Sequence, residues 1–177
     1  SGQYNYRNKL TGQSHGHSHY VVYLKDSTNI AACVIDVEAA LEGAELPING
    51  LVVDHELFYY PTETEEEAYY LSAFLNSDVI NQAIKPLQAE GDFGPRHIHK
   101  LPLEFPIPEF DSENETHQRL VELAKSGEEK ALAKLPDLVE EYDPDTTPTN
   151  SRWLRTRTNE EVESELEEVN RLVENLL

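Results

Sequence analysis

Apolar and polar positions change their period along the chain, and each change marks an element. Tyr20-Val21-Val22-Tyr23-Leu24 is β-branched and aromatic and predicts a strand. Asp26-Ser27-Thr28-Asn29 follows as a turn, and residues 30–37 form a second run, apolar enough for a strand buried on both faces. Residues 38–41 read as a short helical turn closed by Gly43, and Asn49-Gly50 is a tight-turn signal. Residues 51–60 predict a third strand, ended by Pro61.

The period then lengthens. Ala68, Leu71, Leu75, Val79 and Ala83 share one side of a helix predicted over 65–84, with Tyr70, Phe74 and Ile84 widening the apolar face and Pro86 stopping it. Thr62 or Thr64 can cap its start, and Glu65, Glu66 and Glu67 carry the charge favoured in a first turn. Gly91-Asp92-Phe93-Gly94-Pro95 reads as a loop, followed by extended pieces at 98–101 and 104–107. A second helix is predicted over 114–135, weakened at Gly127. A last helix is predicted over 159–176, where Val162, Leu166, Val169, Val173 and Leu176 make a four-three seam that, at two heptads, suits packing on its own domain better than pairing with a partner.

These elements predict an α+β fold, with a mixed or antiparallel sheet, two to three long helices and a helical C-terminal appendage. The corresponding domain division is an α+β domain over 1–135, a linker over 136–151 that contains Pro136, Pro144 and Pro148, and a C-terminal helix over 152–177. No apolar run reaches the length of a membrane span, no apolar leader core opens the chain, and a cytoplasmic location is expected. The chain contains no methionine, which predicts a piece of a longer protein.

Charge changes the picture most. The formal net charge is -20 over 177 residues. Taken alone it argues against nucleic acid, which is held mainly through cations on phosphates. Two arrangements remove the conflict: a solvated acidic surface of the kind salt-adapted, halophilic proteins carry, screened within about 3 Å at 1 M salt, or cations gathered on one face. The first is favoured by how widely the acids are spread and how scarce lysine is.

The cations are therefore the informative minority. Arg7 and Lys9 flank Asn8, Arg96, His97, His99 and Lys100 form an island, and Arg152, Arg155 and Arg157 surround Trp153. Such islands offer phosphate contacts, and Arg can also read guanine edges, or each island can simply neutralise neighbouring acids. His15, His17 and His19 alternate on an extended segment and could share a metal, with His55 or His97 as distant ligands, although Ser-Gly-His loops also occur without one. Cys33, the single cysteine, excludes an internal disulfide and sits in an apolar run that predicts a buried small residue rather than a nucleophile. No Gly-x-Ser-x-Gly elbow, phosphate loop or Gly-x-Gly-x-x-Gly fingerprint is present.

Three stretches, in order, carry a family resemblance. Residues 67–77, Glu67-Ala68-Tyr69-Tyr70-Leu71-Ser72-Ala73-Phe74-Leu75-Asn76-Ser77, are similar to an "AYYLLAILNS" helix. Gly94-Pro95-Arg96-His97-Ile98-His99-Lys100-Leu101-Pro102 is similar to an "RHI-x-K-LP" turn. Phe105-Pro106-Ile107-Pro108-Glu109-Phe110-Asp111, with His117-Gln118-Arg119-Leu120-Val121-Glu122-Leu123-Ala124, is similar to a "PIP-x-FD…H-x-x-LAELA" stretch. Together, across about residues 50–135, the chain resembles the C-terminal target-recognition region of adenine-N6 DNA methyltransferases of restriction–modification systems.

The resemblance implies a DNA-recognition domain whose partners are duplex DNA and an upstream catalytic domain. That domain would bind S-adenosylmethionine and act on a flipped adenine through an Asn/Asp-Pro-Pro-Tyr/Phe motif. This chain has no such motif, so no catalytic residue is assigned to it. The expected DNA contacts are Arg96, His97 and Lys100, with Arg7 and Lys9 next. The alternative is an acidic protein-interaction module that associates through Val162, Leu166, Val169, Val173 and Leu176. A third reading, a metal enzyme, would rest on His15, His17 and His19.

Overall fold

The computed structural model describes residues 16–24, 29–42, 52–53, 56–91, 94–96, 98, 100–143 and 150–177. Its main sheet has three antiparallel strands, β1 (His19–Leu24), β2 (Ala32–Asp36) and β3 (Leu57–Thr62), in the order β2-β1-β3. The α+β expectation holds, and the sheet is antiparallel.

The strand buried most completely is β1, whose Tyr20, Val21, Val22 and Tyr23 are all in the interior. Alternation sends Val21 and Tyr23 to the helices and Tyr20 and Val22 to a smaller cluster with Val53 on the opposite face. β2 is an edge strand, not a strand buried on both faces, and Cys33 is exposed on it rather than buried. β3 begins later than expected and runs through Pro61, opposite Tyr20. An edge position explains this, because a strand paired on one side can spare the N–H that proline lacks.

The predicted helix over 65–84 is two helices, α2 (Glu65–Asn76) and α3 (Asp78–Ile84). Thr64 caps the first, its hydroxyl accepting from the Glu67 N–H. Ser77 makes the break: its hydroxyl donates to the Phe74 carbonyl at 2.7 Å and accepts from the Ile80 N–H at 3.3 Å. One buried side chain thus closes one helix and opens the next. Between α2 and the sheet edge, the Asn76 amide donates to the Ala32 carbonyl and accepts from the Ala32 N–H, both at 2.9 Å. Asn81 accepts from the Ile30 N–H at 2.7 Å. Two amides therefore tie β2 and Ile30, two residues before it, to the helices.

After the 3₁₀ turn Lys85–Leu87 comes a separate two-stranded antiparallel ribbon, β4 (Ala89–Gly91) and β5 (Gly94–Arg96). A second 3₁₀ turn, Leu101–Glu104, falls between the two extended pieces expected at 98–101 and 104–107, taking one end residue from each, and packs on α3. Helix α4 (Glu115–Glu141) is capped by Asn114, which accepts from Thr116 and His117 N–H groups. It passes through Gly127 without a break and through Pro136, which was expected to open a linker.

A short helix, α1 (Val37–Glu42), follows β2, and the chain closes with α5 (Asn150–Glu161) and α6 (Glu163–Leu176) in place of one terminal helix. Val169 and Val173 are 3% and 0% exposed and lie in the same core as Phe74, Leu75, Ile80, Ile84 and Leu120. The seam packs on α2, α3 and α4 of its own chain, the first of the two arrangements expected for it. Among the described residues no helix is long and apolar enough to cross a membrane.

Candidate nucleic-acid interface

The first and third of the resembling stretches are far apart in sequence and meet at one buried point. Tyr70 of α2 donates its hydroxyl to the Pro108 carbonyl at 3.1 Å and stacks obliquely on Phe110 and His117, with centroids 5.4 and 4.6 Å away. His117 accepts the Asp111 N–H on Nδ1 at 3.1 Å, while its Nε2 lies 3.5 Å from the Tyr70 hydroxyl. With Nδ1 accepting, the neutral ring carries its proton on Nε2 and directs it at the tyrosine oxygen. Burial holds His117 below its ordinary value against the opposing pull of Asp111, and burial pushes Tyr70 up to about 12. Both groups stay neutral, so this junction is a structural joint that fixes the entry into α4.

The ribbon stands apart from that joint. Its register pairs Ala89 with Arg96 and Gly91 with Gly94, which places Arg96 at the open end, beside the first 3₁₀ turn. Both 3₁₀ turns contact α3, so the ribbon is rooted on a helix at each end. Lys85 lies in the first turn, and Lys100 caps the second; both are exposed. From the first 3₁₀ turn through the second, Lys85, Arg96 and Lys100 equal the acids Glu90, Asp92 and Glu104 in number, whereas the whole chain has 14 Lys and Arg against 34 Asp and Glu.

Other cations are committed to carboxylates. Arg119 bonds Glu122 and Glu168, Lys125 bonds Glu65, and Lys130 bonds Glu165. Lys134 faces Asp137 and Glu161, Arg171 faces Glu168, and Arg157 bridges Glu141 and Glu160. The Trp153 island thus uses Arg157 to neutralise neighbouring acids, while Trp153 itself packs on Tyr142 at 5.8 Å. Lys85 and Lys100 make no ion pair among the described residues. Sequence reasoning passed over Lys85 because it lies alone between a helix end and a proline; the signal was its position, not its neighbours.

Arg7, Lys9, His15, His97 and His99 lie outside the described residues. His17 sits edge-on to Tyr20 and 3.9 Å from a Glu63 carboxylate oxygen, and His19 pairs across the ladder with Thr62. Among the described residues no group of three His, Cys, Asp or Glu side chains is placed to hold a metal ion. Cys33 is not activated: although the residue reaches the surface, partial desolvation of its thiol and then the Glu128 carboxylate push it up. The described sheets are antiparallel throughout.

No family model, curated protein or solved structure matches the chain.

Proposed function

We propose that this chain is the DNA-recognition domain of a larger adenine-N6 DNA methyltransferase. It binds duplex DNA and positions the target for a catalytic domain outside this chain, which holds S-adenosylmethionine. Arg96, His97 and Lys100 contact the duplex, with Arg7 and Lys9 as further contacts. One observation carries the reading: a short antiparallel ribbon, separate from the main sheet, bears Arg96 and is rooted beside two exposed lysines that have no carboxylate partner among the described residues. A two-stranded ribbon is one of the shapes a major groove admits, and an unpaired cation is what a phosphate needs.

The test is duplex affinity of the 177-residue chain across a salt series, for wild type and for Arg96→Ala with Lys100→Ala. The double variant is expected to bind more weakly, with a salt slope shallower by about one for each phosphate that is no longer neutralised. Unchanged affinity with unchanged slope removes the ribbon from the interface and the reading with it.

A further inference from the structure

We infer that the C-terminal half of α4 is a docking face for an amphipathic helix of a partner protein, one whose apolar seam is flanked by Lys and Arg. This rests on α4 alone and not on the DNA reading.

α4 has 27 residues and α2 has 12, so at 1.5 Å per residue they are about 40 and 18 Å long. They lie antiparallel. Tyr70 meets His117 near the start of α4, while at the start of α2 Glu65 holds Lys125 and Tyr69 donates to Glu128. Beyond Glu128, α2 has ended and α4 continues. The side of α4 that α2 covers, marked by Val121 and Ala124, does not turn polar there. Leu132, Leu135 and Val139 repeat it at close to whole helical turns from Val121, since the 3.6-residue period brings them back to one face. They are 60%, 41% and 60% exposed. Leu138, on the neighbouring side, is 0% exposed, so this stretch of α4 is held on its own domain while the stripe stays bare.

Two features specify the occupant. Glu129 and Glu140 are exposed beside the stripe and make no ion pair among the described residues. A second copy of this chain would bring the same carboxylates against them, whereas Lys or Arg flanks would complement them. Pro136 lies within the stripe and has no N–H to give the Leu132 carbonyl, which leaves an acceptor for an incoming donor. A helix is the fitting shape because the same face, one stretch earlier, is already filled by one.

The probe is a synthetic helical peptide of about three heptads with Leu along its seam and Lys at the flanks, compared with the same peptide carrying Glu flanks. Binding is read by fluorescence anisotropy, and the oligomeric state of the chain alone is measured by light scattering. The chain is expected to be monomeric and to bind the Lys peptide in preference to the Glu peptide. Leu132→Gln with Val139→Gln should weaken binding about tenfold or more, with the melting temperature kept because both sites are exposed. Glu129→Lys with Glu140→Lys should reverse the preference between peptides. Binding that survives the Gln variant reports charge attraction only and overturns the proposal. So does binding of neither peptide, and so does a dimer abolished by the Gln variant, which would give the face to a second copy.

Discussion

At the scale of single residues, the fold depends on a few polar side chains used twice. The Tyr70–His117 joint is the clearest case, because each partner satisfies a backbone group as well as the other ring. Tyr70→Phe would leave the Pro108 carbonyl without its donor, and should destabilise the chain by about 1–3 kcal/mol, read as a shift in the urea midpoint. His117 adds a pH dependence. Its folded value lies below its unfolded value of 6.5, so the unfolded chain takes up the proton first. The stability it contributes is present above about pH 6.5 and falls as pH drops below it. His117→Asn should flatten the midpoint-against-pH curve between about pH 7 and 5. The paired carboxylates Glu165 and Glu168 are held below the ordinary carboxylate value, chiefly by bonds from Lys130 and Arg119, so their loss comes at lower pH and is separable.

At the scale of elements, capping decides where helices stop. The apolar period runs unbroken from Ala68 to Ala83, which is why one helix is read from the pattern, but Ser77 turns the backbone to an extended conformation. Ser77→Ala removes the cap of α3 and the hydroxyl bond to Phe74, and should cost about 1–2 kcal/mol in chemical denaturation. Gly127 behaves in the opposite way. A glycine in the pattern suggests a weak point, yet α4 continues through it, and an added Cβ would sit an ordinary 4.0 Å from the Glu165 Cβ. Gly127→Ala should therefore raise stability by about 0.5–1 kcal/mol, through helix propensity alone. Failure to stabilise would mean that α6 presses closer on α4 than this spacing allows.

At the scale of the whole molecule, acid dominates and the terminal helix is integral. With a net charge of -20, the folded surface repels itself, and much of the available cation is already paired. Raising salt from about 0.05 to 1 M should raise the melting temperature, because screening contracts to about 3 Å and relieves repulsion between unpaired carboxylates more than it weakens the pairs. A melting temperature that falls with salt would show that the ion pairs outweigh the repulsion. Val169 is buried in the common core, so Val169→Asp should unfold the chain rather than dissociate an assembly, with a loss above about 3 kcal/mol in chemical denaturation.

Local periodicity and capping chemistry are properties of a few neighbouring residues, and those were legible in the sequence alone. The α+β class, the strand at β1, the start of α2 at Thr64, the start of α4 at Asn114 and the charge of the surface all follow from them. Which faces are covered depends on residues far along the chain, and only the tertiary structure decided it. β2 reads as central from its apolar run but lies at an edge because β1 takes the middle place. The seam of α6 suits its own domain or a partner, and only the packing shows that it fills the core beside α2 and α4, while the bare stripe falls on α4 because α2 is shorter than its partner. For the candidate site, the Arg96 island was visible as composition. That it sits on a ribbon between Lys85 and Lys100, while Arg157 of the Trp153 island is spent on carboxylates, depends on long-range packing that no window of sequence contains.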